Sequence, residues 1–543
     1  MEHWPEKTCA KEVGEDKPSS DPVFAPLDQV LTAGGDARLH LDPATLLNGY
    51  GCRPFPRPEA YTFASSTATS ISDRGYRAAG AMHQALMDAA AKSSLHDAFD
   101  REAEQLRSGV MRLLELQGTG HALVFSASGT DSELHAVFVA LATLGAPVAS
   151  VIAASDETGS GTTFAAVGRH FSSVTSLGVA VAKGDPIDGI AEHTTSHLIP
   201  LRTADGTLRA MSEIDRDVIR ATSQAIASGN RVLLHAMDHS KLGWHSPSLD
   251  CVREVATRWR GRVQVVIDAC QMRISRGRLR CYLDDGYVVQ ATGSKFFTGP
   301  PFSGALFVPA PLAARMAEVA QVPVGLRAYT SRSDWPAEWG AIRQSLGDTM
   351  NIGQLLRWVA AEEEMHWYFA VPAQYRNAAL TQFTSAAHAL IEGQDNLQLL
   401  PECPDATWST ADNDELAVRT IFPFFIRRDG DVMPVADCTI VYRALNRDLA
   451  ALLPAGASRA ERVLASQSCH IGQPVAVPQP SGAIAGALRI SAGARILSET
   501  WSNEGHDRAF AKLAGEIAQV RTILDKIQLI LRHFERFQGA FRN

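Results

Sequence analysis

Four short runs in this sequence are apolar almost from end to end: Ala122 to Phe125, Val148 to Ala154, Val232 to Ala236 and Val263 to Ile267. Residues with helical spacing separate them. A strand with no polar face must be covered on both sides, so the alternation predicts an α/β architecture, a mostly parallel sheet between layers of helices. One helical stretch is expected from about Gln84 to Leu116, ending at Gly118, and another from Leu134 to Leu144.

At 543 residues the chain exceeds what one core usually supports, so at least two packed units are expected. The composition changes after Ala361, where Thr420 to Ile426 and Thr439 to Tyr442 read as strands of a smaller α+β domain. The expected division is an N-terminal extension over 1–45, a large domain over 46–360, a small domain over 361–505 and an amphipathic C-terminal helix over 506–543. In that helix Leu513, Ile517, Val520, Leu524, Ile527, Leu531 and Phe534 recur at steps of four and three. Such a stripe packs on its own domain or forms a coiled-coil seam.

The net charge of −8 is spread without long single-sign runs, which excludes the basic stripe of a nucleic-acid binder. The eight cysteines are scattered, with no CxxC pair and no zinc-ligand spacing, so no metal site is read and reduced thiols are expected. No secretory leader is visible in the polar first 21 residues, and no stretch is apolar enough to span a membrane. A soluble, cytoplasmic protein is expected.

Four features carry chemistry. The turn from Ser126 to Ser132 follows a strand and opens a helix; Gly129 lets a ligand approach the backbone, and Thr130 begins the turn where free amides suit a phosphate. The same residues serve equally as an ordinary N-cap. Asp268 ends a buried strand, at the edge where open α/β sheets bind ligands; it suits a protonated ring nitrogen or a structural ion pair. Lys295 lies in Gln290 to Pro300, between small hydroxyl residues and two phenylalanines, a setting that desolvates an amine and favours Schiff-base chemistry. Arg489, in the apolar run Gly486 to Ser491, calls for an anionic partner such as a carboxylate, unless it merely snorkels.

In this order the motifs resemble those of fold-type-I pyridoxal-phosphate enzymes, specifically the class V aminotransferase group that includes cysteine desulfurases. The resemblance covers roughly residues 45–500. It implies a large domain with a mostly parallel seven-stranded sheet plus a smaller α+β domain, and pyridoxal 5'-phosphate held by Lys295. It implies further that Asp268 pairs with the pyridine nitrogen, that Gln271 and Ser240 lie near the ring hydroxyl, and that Gly129, Thr130, Thr292 and Ser294 surround the phosphate. Arg489 is implied to bind the substrate α-carboxylate. The segment Gly347 to Gly353 is similar to one whose threonine, here Thr349, reaches the partner subunit's cofactor, which implies a homodimer with shared active sites.

Several positions depart from that family. No histidine occurs in Ser155 to Ser160, leaving Glu157 or Thr158 for the ring face, and Ser294 stands where desulfurases carry histidine. His239, beside Ser240, is the candidate replacement acid/base. The segment Ser468 to Pro474 looks like the mobile loop that carries a nucleophilic cysteine, but the aligned position falls on Ile471, two residues past Cys469. The Ser/Thr-dense stretch from Tyr61 to Ile71 is expected to line the way into the site or to serve as a plain turn segment. The function implied is an enzyme acting on an amino acid, led by Cβ or Cγ (C–S type) lyase or desulfurase-like chemistry. An aminotransferase, a decarboxylase or carbon–carbon bond-forming enzyme of specialised biosynthesis, and a cofactor-binding regulatory dimer are the alternatives.

Overall fold

The structure, a computed structural model, describes residues 22–92, 94–403, 408 and 416–541. The first 21 residues and Cys9 therefore lie outside the described residues.

Seven strands form the large sheet: β2 (Ala122–Ser126), β3 (Val148–Ala153), β4 (Thr194–Ile199), β5 (Arg231–Met237), β6 (Val263–Asp268), β7 (Val288–Thr292) and β8 (Gly304–Val308). Their order is β2-β8-β7-β6-β5-β3-β4, and β8 runs antiparallel to both neighbours. Successive residues face opposite layers. Leu123, Phe125, Val232, Leu234, Val265 and Ile267 enter one core, while Val124, Leu233, Val266 and Leu306 enter another beneath the helix Gly129–Leu144. Burial on both faces is the reason these strands carry no polar alternation.

A second sheet contains β1 (Ala60–Phe63), β12 (Ser468–Pro478), β13 (Ile484–Ser491), β10 (Ile421–Arg428) and β11 (Asp431–Val432) in that order, with β9 (Leu397–Leu399) pairing with β10. Helices cover it, giving the smaller α+β unit beside the seven-stranded sheet that the resemblance implied. Arg273, in the loop after β6, joins the two units: it is fully buried and donates to Thr420 Oγ1 and Ala492 O, each at 2.9 Å, and to Ser65 Oγ at 3.0 Å.

Several expectations need correction. The run Thr439 to Tyr442 lies in the helix Val435–Leu445, not in a strand. A short apolar run has no period of its own, and Pro434 at the N-cap starts a helix here. The stretch expected as one helix from Gln84 is two, Asp73–Lys92 and Leu95–Leu113, the second capped by the Ser94 hydroxyl. Cys469 sits in β12, paired with Tyr61, and is fully buried, so Ser468 to Pro474 is sheet and not a mobile loop.

The expected domain edges also shift. The helix Ile352–Ala370 runs straight through residue 360, and β1, from the expected large domain, pairs in parallel with β12. The C-terminal segment is the helix His506–Arg532 followed by Phe534–Phe541. Its stripe is buried against its own domain, with Leu513, Val520, Leu524 and Ile527 all inaccessible. Structure also begins before Leu46, with the helix Leu27–Thr32.

One side chain makes most of the hydrogen bonds that hold the end of that early segment. The Arg357 guanidinium, 1% exposed, donates to Phe302 O (2.9 Å), Leu31 O (3.0 Å), Ala33 O (2.5 Å) and Gly34 O (2.6 Å). Arg357→Ala would remove a donor from four carbonyls, of which Gly34 O keeps Asn351 Nδ2 at 3.2 Å, and it is expected to lower stability by about 3 kcal/mol or more in urea unfolding. A loss under about 0.5 kcal/mol would show that the segment is held otherwise.

Candidate active site

The pleat and register of the sheet set the site. Met237, Asp268 and Gln290 are direct neighbours across β5, β6 and β7, so their side chains lie in one row at the carboxyl ends of parallel strands. All three line a cavity of about 340 Å³. Gly129, Thr130, Glu157, Thr158, His239, Lys241, Thr292, Ser294 and Lys295 surround it from the same edge, and Gln473 and Arg489 close it from the second sheet.

Lys295 follows β7 in a sharp turn packed on Phe296 and Phe297, both buried. Its amine donates to the Thr67 carbonyl and lies 5.6 Å from the centre of the Tyr50 ring. Burial, with the nearby Arg489 charge, pulls its pKa down to about 8. Asp268 accepts from the Cys270 amide at 3.1 Å and from Thr158 Oγ1 at 3.3 Å. Burial nevertheless pushes its carboxyl above the ordinary range, which marks a carboxylate short of positive charge.

Gly129 has no room for a side chain, since a Cβ there would fall 2.7 Å from Cys270 Sγ. Thr130 opens the helix, and the Ser128 hydroxyl accepts from the Thr130 and Asp131 amides at 3.2 Å each. Thr292 donates to Cys270 O at 2.8 Å. Gln271 donates to Ser66 O at 3.1 Å, while its Oε1 is buried and unpartnered. Arg489 is 3% exposed; its guanidinium reaches Thr67 Oγ1 (2.8 Å), Gln473 O (2.7 Å), Ser66 O (3.3 Å) and Lys241 O (3.2 Å). No carboxylate pairs with it among the described residues.

His239 lines the cavity with its Nδ1 on Asp238 Oδ1 and its ring 4.5 Å from that of His245. Burial alone raises the Asp238 carboxyl, but Arg278 at 2.9 Å and His239 outweigh it and hold the group below the ordinary range. Asp238, His239 and His245 bring potential metal-ligand atoms within 4.8 Å of one another. The Arg278 charge already neutralises Asp238, which opposes a cation there.

Two expected site residues stand apart. Ser240 is buried behind the wall, donating to Glu157 Oε2 at 2.6 Å and accepting from the Trp244 amide at 3.0 Å, and it does not line the cavity. Thr349 is exposed and away from this cavity. Glu157, held by Arg202 at 2.9 Å, and Thr158 both border the cavity. From the Tyr61 to Ile71 stretch only Ser66 and Thr67 reach it. The Cys469 thiol, pushed up to about 11 by burial, takes no part.

Sequence reasoning gave no role to Arg38 or Lys241. Arg38 arrives from the early segment, with Asp36 on its guanidinium at 2.6 Å. Lys241 stands two residues past His239, and only its place at the cavity edge distinguishes it.

No protein-family model and no curated protein matches the chain. Solved structures similar to it include a NifS-like protein, at 12% identity and TM-score 0.46, over 86% of this chain and 99% of that one. Another is Catharanthus roseus tryptophan decarboxylase in complex with L-tryptophan, at 13% identity and TM-score 0.45, over 94% of this chain and 90% of that one. A third is the glutamate decarboxylase domain of a Vibrio parahaemolyticus diaminobutyrate-pyruvate transaminase and L-2,4-diaminobutyrate decarboxylase, at 14% identity and TM-score 0.43, over 86% and 81%. No helix among the described residues is long and apolar enough to cross a membrane.

The Lys295 amine provides a direct check on the electrostatics. Labelling by a small aldehyde with a borohydride reductant, followed by mass spectrometry, is expected to show a midpoint near pH 8. Arg489→Met should move that midpoint upward, because losing a neighbouring positive charge favours the ammonium form. A wild-type midpoint at the ordinary lysine value would contradict the account.

Proposed function

We propose that this protein is a pyridoxal-phosphate-dependent enzyme acting on an amino acid, and that the cavity at the carboxyl ends of β5, β6 and β7 is its active site. The observation that carries the reading is one cavity bordered by a depressed-pKa lysine, a carboxylate short of positive charge and an arginine without an acidic partner. A scaffold or regulatory dimer needs none of these three.

The residues fit the cofactor. Lys295 is the amine for its aldehyde, and Asp268 is the counter-charge for a protonated ring nitrogen. The unpartnered Gln271 Oε1 is available to a ring substituent, and the side-chain-free Gly129 with Thr130, Thr292 and Ser294 leaves space and donors for a phosphate. Ser240 is not in contact with the cavity, so His239 stands in its expected place. When bound, the cofactor supplies an electron sink for the pair left at the substrate Cα.

The chain's own residues do the rest. Arg489 holds the α-carboxylate in a bidentate grip and fixes which Cα bond is exposed. Lys295, with its lowered pKa, takes the Cα proton near neutral pH. His239, oriented by Asp238, passes a proton to a group leaving from Cβ or Cγ. Lyase chemistry of the C–S type is the leading reading, and transamination, which needs the same Cα deprotonation, is the second. A grip on the α-carboxylate argues against decarboxylation, and the burial of Cys469 argues against a persulfide step on that residue. Thr349, exposed on this chain, is proposed to complete a partner's site in a homodimer.

Purified protein mixed with pyridoxal phosphate is expected to show a visible absorption band that shifts when an amino acid is added. Lys295→Ala should abolish the band and lower turnover by about 100-fold or more. A colourless wild type, or a band unchanged in Lys295→Ala, would overturn the assignment. Assays of sulfide, ammonia, pyruvate and carbon dioxide then separate lyase from transaminase and decarboxylase.

A further inference from the structure

The wall of the cavity beneath the second sheet carries two cations and no free anion. Arg489 is buried and surrounded by neutral acceptors: two main-chain carbonyls of the 66–67 and 473 segments, a threonine hydroxyl and the Lys241 carbonyl. Lys241 borders the same cavity, and its ammonium makes no hydrogen bond or ion pair among the described residues. The carboxylates nearby make their direct contacts elsewhere. Glu157 lies on Arg202 at 2.9 Å and on Ser240 at 2.6 Å, and Asp268 serves the Cys270 amide and Thr158.

Two neighbouring positive charges withdrawn from bulk water, with Glu157 and Asp268 acting on them only from a distance and no carboxylate in direct contact, are unfavourable. Burial and the Arg489 charge draw the Lys241 pKa down to about 8, outweighing the opposing pull of Glu157 and Asp268. An α-carboxylate matches the planar fork of Arg489 in a two-point contact. That contact leaves the point charge of Lys241 unmet.

We propose that the substrate of this site is an amino acid with a second anionic group on its side chain, the α-carboxylate resting on Arg489 and the side-chain anion on Lys241. The inference deepens the proposed function and rests on an amino acid binding in this cavity. Lys241 is thus a specificity residue. A neutral side chain of the same length forfeits its contact and leaves the ammonium unpaired.

Calorimetric titration with unreactive probes tests this with no turnover needed. Succinate carries two carboxylates and butyrate one on a chain of equal length. For the purified protein, with and without pyridoxal phosphate, succinate is expected to bind about tenfold or more tighter. Lys241→Gln and Lys241→Met should remove that advantage while butyrate affinity stays within about twofold, and Lys241→Arg should keep it. Equal wild-type affinities, or an advantage that survives both neutral substitutions, would overturn the proposal. The visible cofactor band, recorded on the same samples, distinguishes the two readings: a band without succinate preference defeats only the acidic-substrate inference, and a preference without a band defeats only the cofactor assignment.

Discussion

Everything in this structure follows from a sheet buried on both faces. Strands β5 and β6 place apolar side chains into two cores at once, so their interiors have little space for charge. Polar chemistry emerges where the strands stop. Met237, Asp268 and Gln290 share a row because the register makes them neighbours, and the turn after β7 delivers Lys295 to the same edge. The layers of helices then keep water scarce, and scarcity of water is what shifts Lys295 down and Asp268 up.

The second sheet does more than cover this edge. Its strand β13 carries Arg489 into the cavity, and its first strand, β1, comes from a point in the chain before the large sheet begins. The two units are therefore interlaced, with Arg273 and the parallel pairing of β1 to β12 crossing between them. A boundary drawn at a single residue describes the chain poorly.

Much of the layout was legible from the sequence, for identifiable reasons. Long-range order showed in apolar runs ending in Asp268, in a glycine turn at Gly129 and in a lysine between small residues and phenylalanines. These are local signals with local causes. Thr439 to Tyr442 misled because a run of four β-branched and aromatic residues suits a buried helix as well as a strand. Cys469 misled because a likeness in a short segment says nothing about burial, which the pairing of β12 decides. Lys241 and Arg38 were illegible as site residues, because each reaches the cavity through contacts distant in sequence. Arg38 in particular depends on a segment whose hydrogen bonds to Arg357 span 326 residues.

The Arg357 anchor and the strand carrying Arg489 also fix when this cavity can exist. During synthesis the glycine turn and Asp268 are made long before Gln473 and Arg489, and contacts this far apart in sequence close slowly. Until β13 has paired with β12 and β10, the edge of the large sheet is an open shelf with one wall missing. The finished pocket therefore needs both sheets in place, and a ligand that needs all of its walls meets only a protein whose two sheets have already come together.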